Sequence, residues 1–374
     1  MRLLSPVRKI KKLATKPHIF LRDALLNKYP LILNKNGVSN GSEDEIIKSI
    51  QRVNLSFIPE FEIDIVYTWV DSKDKDWINK KDNFISNERQ HELYATEDSR
   101  FQSHNEIYYS LLSISKNMPW VRKIYIVTDE QSPLVPDIIK NKVTLIDHRE
   151  IIPCNFLPTF NSHVIEAYLH NIKGLSENFI YFNDDFFAAR PLESSHFFKS
   201  NGLASLFISN CSIREMKANG RPTATLLACT NCNVLFNDKF QTTFDNTLTH
   251  TYVPLKKSHY EKAHQLFEKE ILSFSTNKFR SNNDLNVATF LVPYLQYSLQ
   301  KSTPALDICT YFNIRSPSAK TFYRELLNAK KNHKLPHSFC ANDFSSKEFD
   351  DNDYQHSLTT FLQSFFNDFP HQEN

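Results

Sequence analysis

Residues 179–187 (FIYFNDDFF) set an aromatic and β-branched run directly against two adjacent carboxylates, Asp184 and Asp185. A run of that kind suits a buried strand, and the end of a strand is where open α/β sheets present ligand-binding groups. Two like charges beside apolar walls are costly unless a cation or a proton offsets them. The chemistry suggested is a hard divalent cation held by Asp184 and Asp185 and in turn holding a phosphate. An acidic turn after a strand is the plainer reading of the same residues.

Other acids stand at the ends of predicted strands. Residues 63–70 (IDIVYTWV) run into Asp71, residues 123–128 (KIYIVT) into Asp129, and residues 143–147 form a further short strand. Asn105 and Glu106 open a helix whose inward face is Ile107, Leu111, Ile114 and Met118, closed by Pro119. A second helix is predicted over 164–175, ended by Lys173-Gly174. Strand, helix, strand, strand, helix, strand predicts an α/β sheet flanked by helices, with its carboxylates gathered at one edge. Beyond Pro191, strands are predicted at 204–209 and 233–237. A more helical part follows, with helices over 258–274 and 284–299, the second kinked or shortened at Pro293. Arg280 precedes that second helix, whose N-cap is Asn283 or Asp284.

Composition narrows the function. With only 5 glycines in 374 residues, neither a P-loop nor a GxGxxG dinucleotide turn can be written. If the protein handles phosphates, it must use metal, Arg or helix N-termini. A net charge of +2 gives no reason to expect nucleic acid as a partner. The 6 cysteines lack the density of a disulfide scaffold, and the lone CxxC at Cys229 and Cys232 reads as core thiols rather than a zinc site shared with Cys211. Residues 1–30 are basic, with Lys11, Lys16 and Arg22 among apolar residues and Asp23 the single acid. Such a segment suits contact with an anionic membrane surface. No secretion signal or run of 18 apolar residues is visible, so the expected location is cytoplasmic, peripheral on the inner face of the membrane. The expected organisation is a basic leader and linker over 1–45, a catalytic domain over 46–345 and an acidic, Phe-rich tail over 346–374.

The blocks IDIVYTWVDSKD, NEIYYSLLSISKNMPWVRKIYIVTDEQSP, LPTFNSHVIEAYLHNIKGLSENFIYFNDDFFAARPL, HTYVPLKKSHY with NKFRSNNDLNVA, and FCANDF occur in that order. Together they resemble the Stealth family, which comprises bacterial capsule and exopolysaccharide sugar-1-phosphate transferases and the catalytic subunit of the animal N-acetylglucosamine-1-phosphotransferase. The resemblance runs from about residue 62 to 345. It implies a glycosyltransferase-like nucleotide-sugar fold, with Mg²⁺ as the usual metal and Mn²⁺ as a substitute. The implied reaction moves a hexosamine 1-phosphate from a UDP-N-acetylhexosamine to a hydroxyl of an oligosaccharide or polysaccharide acceptor, making a phosphodiester and releasing UMP. Capsule assembly machinery and the inner-membrane surface become possible partners. Carried over by position, Asp184 and Asp185 are catalytic and metal-binding, and His250 and Arg280 are catalytic, with His259 the alternative imidazole. Asp71, Asn105, Asp129, His163, Glu166 and Asp343 match substrate-binding positions.

The residue types suit that chemistry. Attack on phosphorus needs a cation against the pyrophosphate charge, a base for the incoming hydroxyl and donors for the equatorial oxygens. Asp184 and Asp185 can serve the first, although one of them could take the proton instead. An imidazole titrates near working pH, and a guanidinium clamps phosphate bidentately. Two other readings use the same residues: a metal-dependent glycosyltransferase that releases UDP, and a non-catalytic glycan-binding protein with a structural cation.

Overall fold

The structure is a computed structural model that describes residues 6–28, 58–87, 104–219, 223–344 and 353–366. The linker expected at 34–45 lies outside the described residues. The chain divides into two compact units, Met1–Ser56 and Phe57–Asn374.

The larger unit is built on a five-stranded sheet in the order β3-β2-β1-β4-β8. Its strands are β1 (Ile63–Thr68), β2 (Ile124–Thr128), β3 (Val143–Asp147), β4 (Asn178–Asn183) and β8 (Val253–Lys256). The first four are parallel and β8 is antiparallel to β4. Chain order reverses between β1 and β4, so the crevice outside their carboxyl ends is the switch point at which open α/β sheets bind ligands. β1 and β4 are buried on both faces, as parallel strands between covering layers must be. The expected α/β class is the class observed.

A second sheet is joined to the first by a tight turn. β4 passes through Asp184 and Asp185 into β5 (Phe186–Ala188), which pairs antiparallel with β11 (Ser338–Asn342), itself parallel to β10 (Cys309–Asn313). The other edge of β5 is served by polar side chains of the helix Glu106–Asn117. Ser110 Oγ donates to the Phe186 carbonyl at 2.5 Å, Asn117 Nδ2 to the Ala188 carbonyl at 2.7 Å, and Ser113 Oγ accepts the Ala188 N–H at 3.1 Å. Residues spaced by about one helical turn thus replace a neighbouring strand, meeting the demand that buried backbone groups be paired. A third sheet runs β7 (Asn246–Leu248), β6 (Ala204–Ser212), β9 (Ser302–Ala305).

Several expected elements differ. Residues 233–237 are not a strand but part of the helix Ala224–Phe240, capped by Thr223. The apolar triplet Val234-Leu235-Phe236 mimics a strand, yet Cys229, Cys232 and Phe236 face inward at helical spacing while Val234 is 54% exposed. The helix expected over 258–274 is two, Lys257–Leu266 and Glu268–Phe274, divided at Phe267. The one expected from 284 begins as a wide π turn, Val287–Leu291, capped by Asn286, and becomes α-helical over Val292–Ser298 with Pro293 in its first turn, where the missing N–H is harmless. Asp284 therefore caps nothing. The helix expected over 164–175 is Ser162–Ala167 followed by a 3₁₀ turn. The acidic, Phe-rich tail contributes a helix, Tyr354–Phe365, whose Leu358, Phe361, Leu362 and Phe365 pack with Tyr323 and Phe339 in one apolar cluster.

One buried charge pins the entry to the central strands. Asp64 on β1 is fully buried and accepts from Arg122 Nε at 2.8 Å, Arg122 Nη2 at 2.5 Å, Ser176 N at 2.8 Å and Lys123 N at 3.2 Å. It ties β1 to the segments leading into β2 and β4. Asp64→Ala leaves these donors uncompensated and should lower the unfolding free energy by about 3 kcal/mol in urea titrations. A loss below about 1 kcal/mol would show that water satisfies them instead.

Candidate active site

The turn after β4 holds its carboxylates between buried aromatic walls, because Phe182 and Phe186 on either side point into the core. The Asp185 carbonyl accepts the Ala341 N–H at 3.1 Å, and Asp185 Oδ2 accepts from Cys340 Sγ at 3.3 Å. Asp185 Oδ1 is buried and has no hydrogen-bond partner. Glu106, the first residue of its helix, is buried behind the turn and takes the His104 N–H on Oε2 at 2.5 Å. Burial pushes the Glu106 and Asp184 carboxyls above the usual range, and a neighbouring charge adds to each: Asp184 acting on Glu106, Asp185 on Asp184. Asp185 is raised as well, mainly by burial, against the opposing Cys340 donor. Three crowded carboxyls that resist ionisation, one with an orphaned oxygen, form a donor set suited to a hard divalent cation.

His250, on the loop entering β8, is held edge-on between Phe186 at 5.3 Å and Tyr311 at 5.1 Å. Its ring nitrogen, an Asp185 oxygen and the Cys340 sulfur lie within 4.8 Å of one another. His250 is exposed, yet its ring is flanked by many protein atoms. Its pKa falls to about 4, first from crowding that strips its hydration and second from the Arg280 cation. Because the ring still reaches the cleft, the downward direction is what matters: at neutral pH this imidazole carries no charge. His259 sits on the helix Lys257–Leu266 beside Ser258, near Lys256 and Glu177, at the opposite end of β4. The geometry brings His250, not His259, to Asp185.

Arg280 donates to Ser162 Oγ through Nη2 at 2.7 Å. Its charge is felt by both His250 and Glu166, so it stands within electrostatic reach of both. Glu166 is buried on the helix Ser162–Ala167. Burial raises its pKa, against His163, Arg280 and hydrogen bonds from Tyr181 and Ser162. The same helix carries His163, whose Nδ1 is turned to Asp284 Oδ2 at 3.1 Å. Asp284 also takes Asn161 Nδ2 at 2.9 Å, Asn277 Nδ2 at 2.8 Å and the Ser281 N–H at 3.1 Å. His163 thus fixes the loop that delivers Arg280. Asp343 is gripped by Arg315, and its Oδ2 meets His104 Nε2 at 3.1 Å.

Asp71 and Asp129 lie farther along the edge, beyond β1 and β2. Gln131 clasps the Asp71 backbone, its Oε1 accepting the N–H at 2.8 Å and its Nε2 donating to the carbonyl at 2.9 Å. Asp129 Oδ1 accepts from Lys80 at 2.9 Å. At these strand ends Trp69 Nε1, Thr128 Oγ1, Asp129 Oδ2 and His148 Nε2 are buried without partners. Asn105 is exposed, with φ of 67°, a left-handed conformation that Asn tolerates, and it turns the chain so that Glu106 enters the helix buried. Sequence reasoning assigned a role to Asn105 and passed over Glu106, His104, Arg315 and Cys340. Glu106 shares the helix stripe of Ser110, Ser113 and Asn117, a polar face whose burial the sequence does not announce, while Arg315 stands in a block with no recognisable motif.

An α/β sheet with a carboxylate cluster, a neutral imidazole and a guanidinium beyond its switch point defines a transferase-type site. Residues 100–206 match the family model described as Stealth protein CR2, conserved region 2. The chain is 48% identical to a capsular polysaccharide phosphotransferase of Actinobacillus suis, over 96% of this chain and 98% of that one. It is 46% identical to capsular polysaccharide phosphotransferase fcs1 of Haemophilus influenzae, over 96% and 100%. It is also 46% identical to capsular polysaccharide phosphotransferase LcbA of Neisseria meningitidis, again over 96% and 100%. Among solved structures, the galactosyltransferase LgtC with donor and acceptor sugar analogues aligns at 8% identity and a TM-score of 0.40, covering 83% of this chain and 98% of that one. The chain belongs to the Stealth family and is a phosphotransferase.

The charge crowding has a measurable consequence. The folded state holds the Asp184 proton more tightly than the unfolded chain does, so the stability this group contributes is complete below the ordinary carboxylate pKa and is lost as pH rises through the raised one. In metal chelator, Asp184→Asn should therefore stabilise the protein by about 1 kcal/mol at pH 8 and by almost nothing at pH 4. Equal unfolding midpoints at pH 8 would show that the carboxylate is well solvated.

Proposed function

We propose that this phosphotransferase moves a hexosamine 1-phosphate from a UDP-N-acetylhexosamine to a hydroxyl of a capsular or surface-polysaccharide acceptor, forming a phosphodiester and releasing UMP. The observation that carries the reading is the orphaned Asp185 oxygen beside a neutral His250 within the field of Arg280. Asp184 and Asp185 would hold Mg²⁺, with Mn²⁺ as a substitute. Such a cation supplies charge against the pyrophosphate. Neutral His250 takes the proton of the acceptor hydroxyl as its oxygen bonds to phosphorus. Arg280 binds equatorial phosphate oxygens, exchanging Ser162 for a stronger partner. The bond that breaks joins the transferred phosphorus to the bridging oxygen, and UMP leaves with the electron pair. The partnerless polar atoms at the ends of β1, β2 and β3 favour a nucleoside there, since β2 and β4 are two strand spacings apart, about 10 Å, on the scale of a nucleoside diphosphate.

Phosphorus NMR of the products tests the reaction class. UMP and a phosphodiester resonance are expected, whereas UDP would make the chain an ordinary glycosyltransferase. No turnover of any UDP-N-acetylhexosamine with acceptor present would leave the glycan-binding reading standing. Asp185→Asn should lower kcat by on the order of 10³-fold in Mg²⁺ with an unchanged circular dichroism spectrum. Activity close to wild type would remove the carboxylate from the reaction.

The same proposal includes peripheral attachment to the inner face of the cytoplasmic membrane. Among the described residues no helix is long and apolar enough to cross a membrane. The helices Pro6–Thr15 and Pro17–Lys28 instead expose Ile10 (68%), Leu13 (46%), Leu21 (57%) and Leu25 (60%) alongside exposed Lys11, Lys16 and Arg22. Each basic residue near an anionic surface adds about 1 kcal/mol of attraction. The protein should sediment with vesicles containing phosphatidylglycerol, release in high salt, and lose binding in the double variant Leu13→Asp, Leu25→Asp. Equal binding to purely zwitterionic vesicles would contradict the electrostatic part.

A further inference from the structure

Asp307, between β9 and β10, has a fully buried side chain and lies outside the carboxylate cluster. Its Oδ1 accepts the Tyr252 hydroxyl at 2.7 Å and His196 Nε2 at 2.8 Å, and its Oδ2 accepts the Ser338 hydroxyl at 2.8 Å. A carboxylate can only accept, so the His196 tautomer is fixed with the proton on Nε2. These donors hold the Asp307 carboxyl below the usual range against the opposing effect of burial.

The neighbours of Asp307 grip one short segment. Thr251 Oγ1 donates to Ser338 Oγ at 2.8 Å, Tyr252 reaches Asp307 itself, and Cys309 Sγ donates to the His250 carbonyl at 3.4 Å. Residues 250, 251 and 252 are thus each fastened to the strands or loop of the second sheet, the sheet that also carries Cys340 against Asp185. His250 has no regular secondary structure around it, since β7 ends at Leu248 and β8 begins at Val253. Without this fastening its backbone would be free to shift by the ångström or so that decides a proton transfer.

We infer that Asp307 is a positioning residue for His250: it clamps the segment 250–252 to the second sheet and so sets the imidazole beside Asp185. A metal could also be imagined at His196, Asp307 and His337, whose ligand atoms lie within 4.8 Å of one another. The hydrogen bonds speak against it. Both Asp307 oxygens are engaged, the His196 nitrogen donates, and His337 Nδ1 accepts the Ile308 N–H at 2.9 Å. The two imidazoles also stack at 4.7 Å and 26°, rather than converging on a point.

The inference rests on the reading of His250 as the base, and the test separates the two. Asp307→Asn and the milder Tyr252→Phe are made in the full chain, alone and combined with His250→Ala. As single changes they should lower kcat, by on the order of 10²-fold for Asp307→Asn, and leave the donor KM within about twofold. In the His250→Ala background they should cause no further loss, since a group acting through His250 has nothing left to act on. Independently of activity, the His250 ring signals in nitrogen-15 NMR should move in both variants while those of His163 stay. Unmoved His250 signals, additive losses in the double variants, or one equivalent of bound zinc that disappears with Asp307→Asn would each overturn the clamp. Full activity of His250→Ala would remove the base and not the clamp, which the ring signals still decide. Should Asp307→Asn fail to fold, Tyr252→Phe carries the same comparison with one hydroxyl removed.

Discussion

Asp184 and Asp185 form a turn walled by Phe182 and Phe186, with Glu106 buried behind it, and burial raises the pKa of all three carboxyls. Such an arrangement works against folding, so the surroundings must enforce it. Enforcement comes from both sides of the turn. β4 is locked in register with β1, and β5 is held on one edge by β11 and on the other by Ser110, Ser113 and Asn117. The turn cannot relax without breaking one of these sets of hydrogen bonds. That rigidity keeps the carboxylates crowded, as the proposed cation site requires.

Other buried carboxylates show the contrast. The side chains of Asp64, Asp284 and Asp307 are all fully buried, and each is surrounded by donors: Arg122 and backbone amides, Asn and His side chains, or hydroxyls and an imidazole. A satisfied buried charge is a fastener, costly to remove and chemically quiet. Asp284 fastens the Arg280 loop to the helix bearing Glu166, and Asp64 fastens the strand entries. What sets Asp185 apart from these three acids is its missing donor: one of its oxygens accepts from no group at all.

The central strands could be read from the sequence because they are continuous apolar runs closed by polar residues, and the chain places all four parallel strands where the pattern predicts. The turn at Asp184 was legible for the same reason. Elements with mixed patterns were not. Val234-Leu235-Phe236 looks like a strand until Cys229 and Cys232, one turn earlier, supply the helical face. Helix 284–299 could not be delimited, because a wide turn before Pro293 depends on which carbonyls the tertiary structure leaves open. Asp185 and His250, both on recognisable motifs, are brought together, but partners set by long-range packing were invisible. Arg315 reaches Asp343 and Glu106 reaches Asp184 only because β10, β11 and the helix at 106 converge, which no local spacing announces.

The electrostatics of Arg280 suggest how one cation can serve two steps. In the free enzyme it holds Glu166 toward the ionised form and His250 toward the neutral one. Under the proposed function, a donor phosphate at Arg280 would offset its charge and lift the part of the His250 depression owed to the guanidinium. In the proposed reaction, the imidazole would then become a stronger base when an acceptor hydroxyl must lose its proton, and stay a weaker one before the donor binds. The larger part of the depression comes from crowding and persists, which keeps His250 uncharged on arrival of the acceptor. The proposed reaction would thus couple binding and base strength through a single side chain, in a protein with too few glycines to build a phosphate-cradling backbone loop.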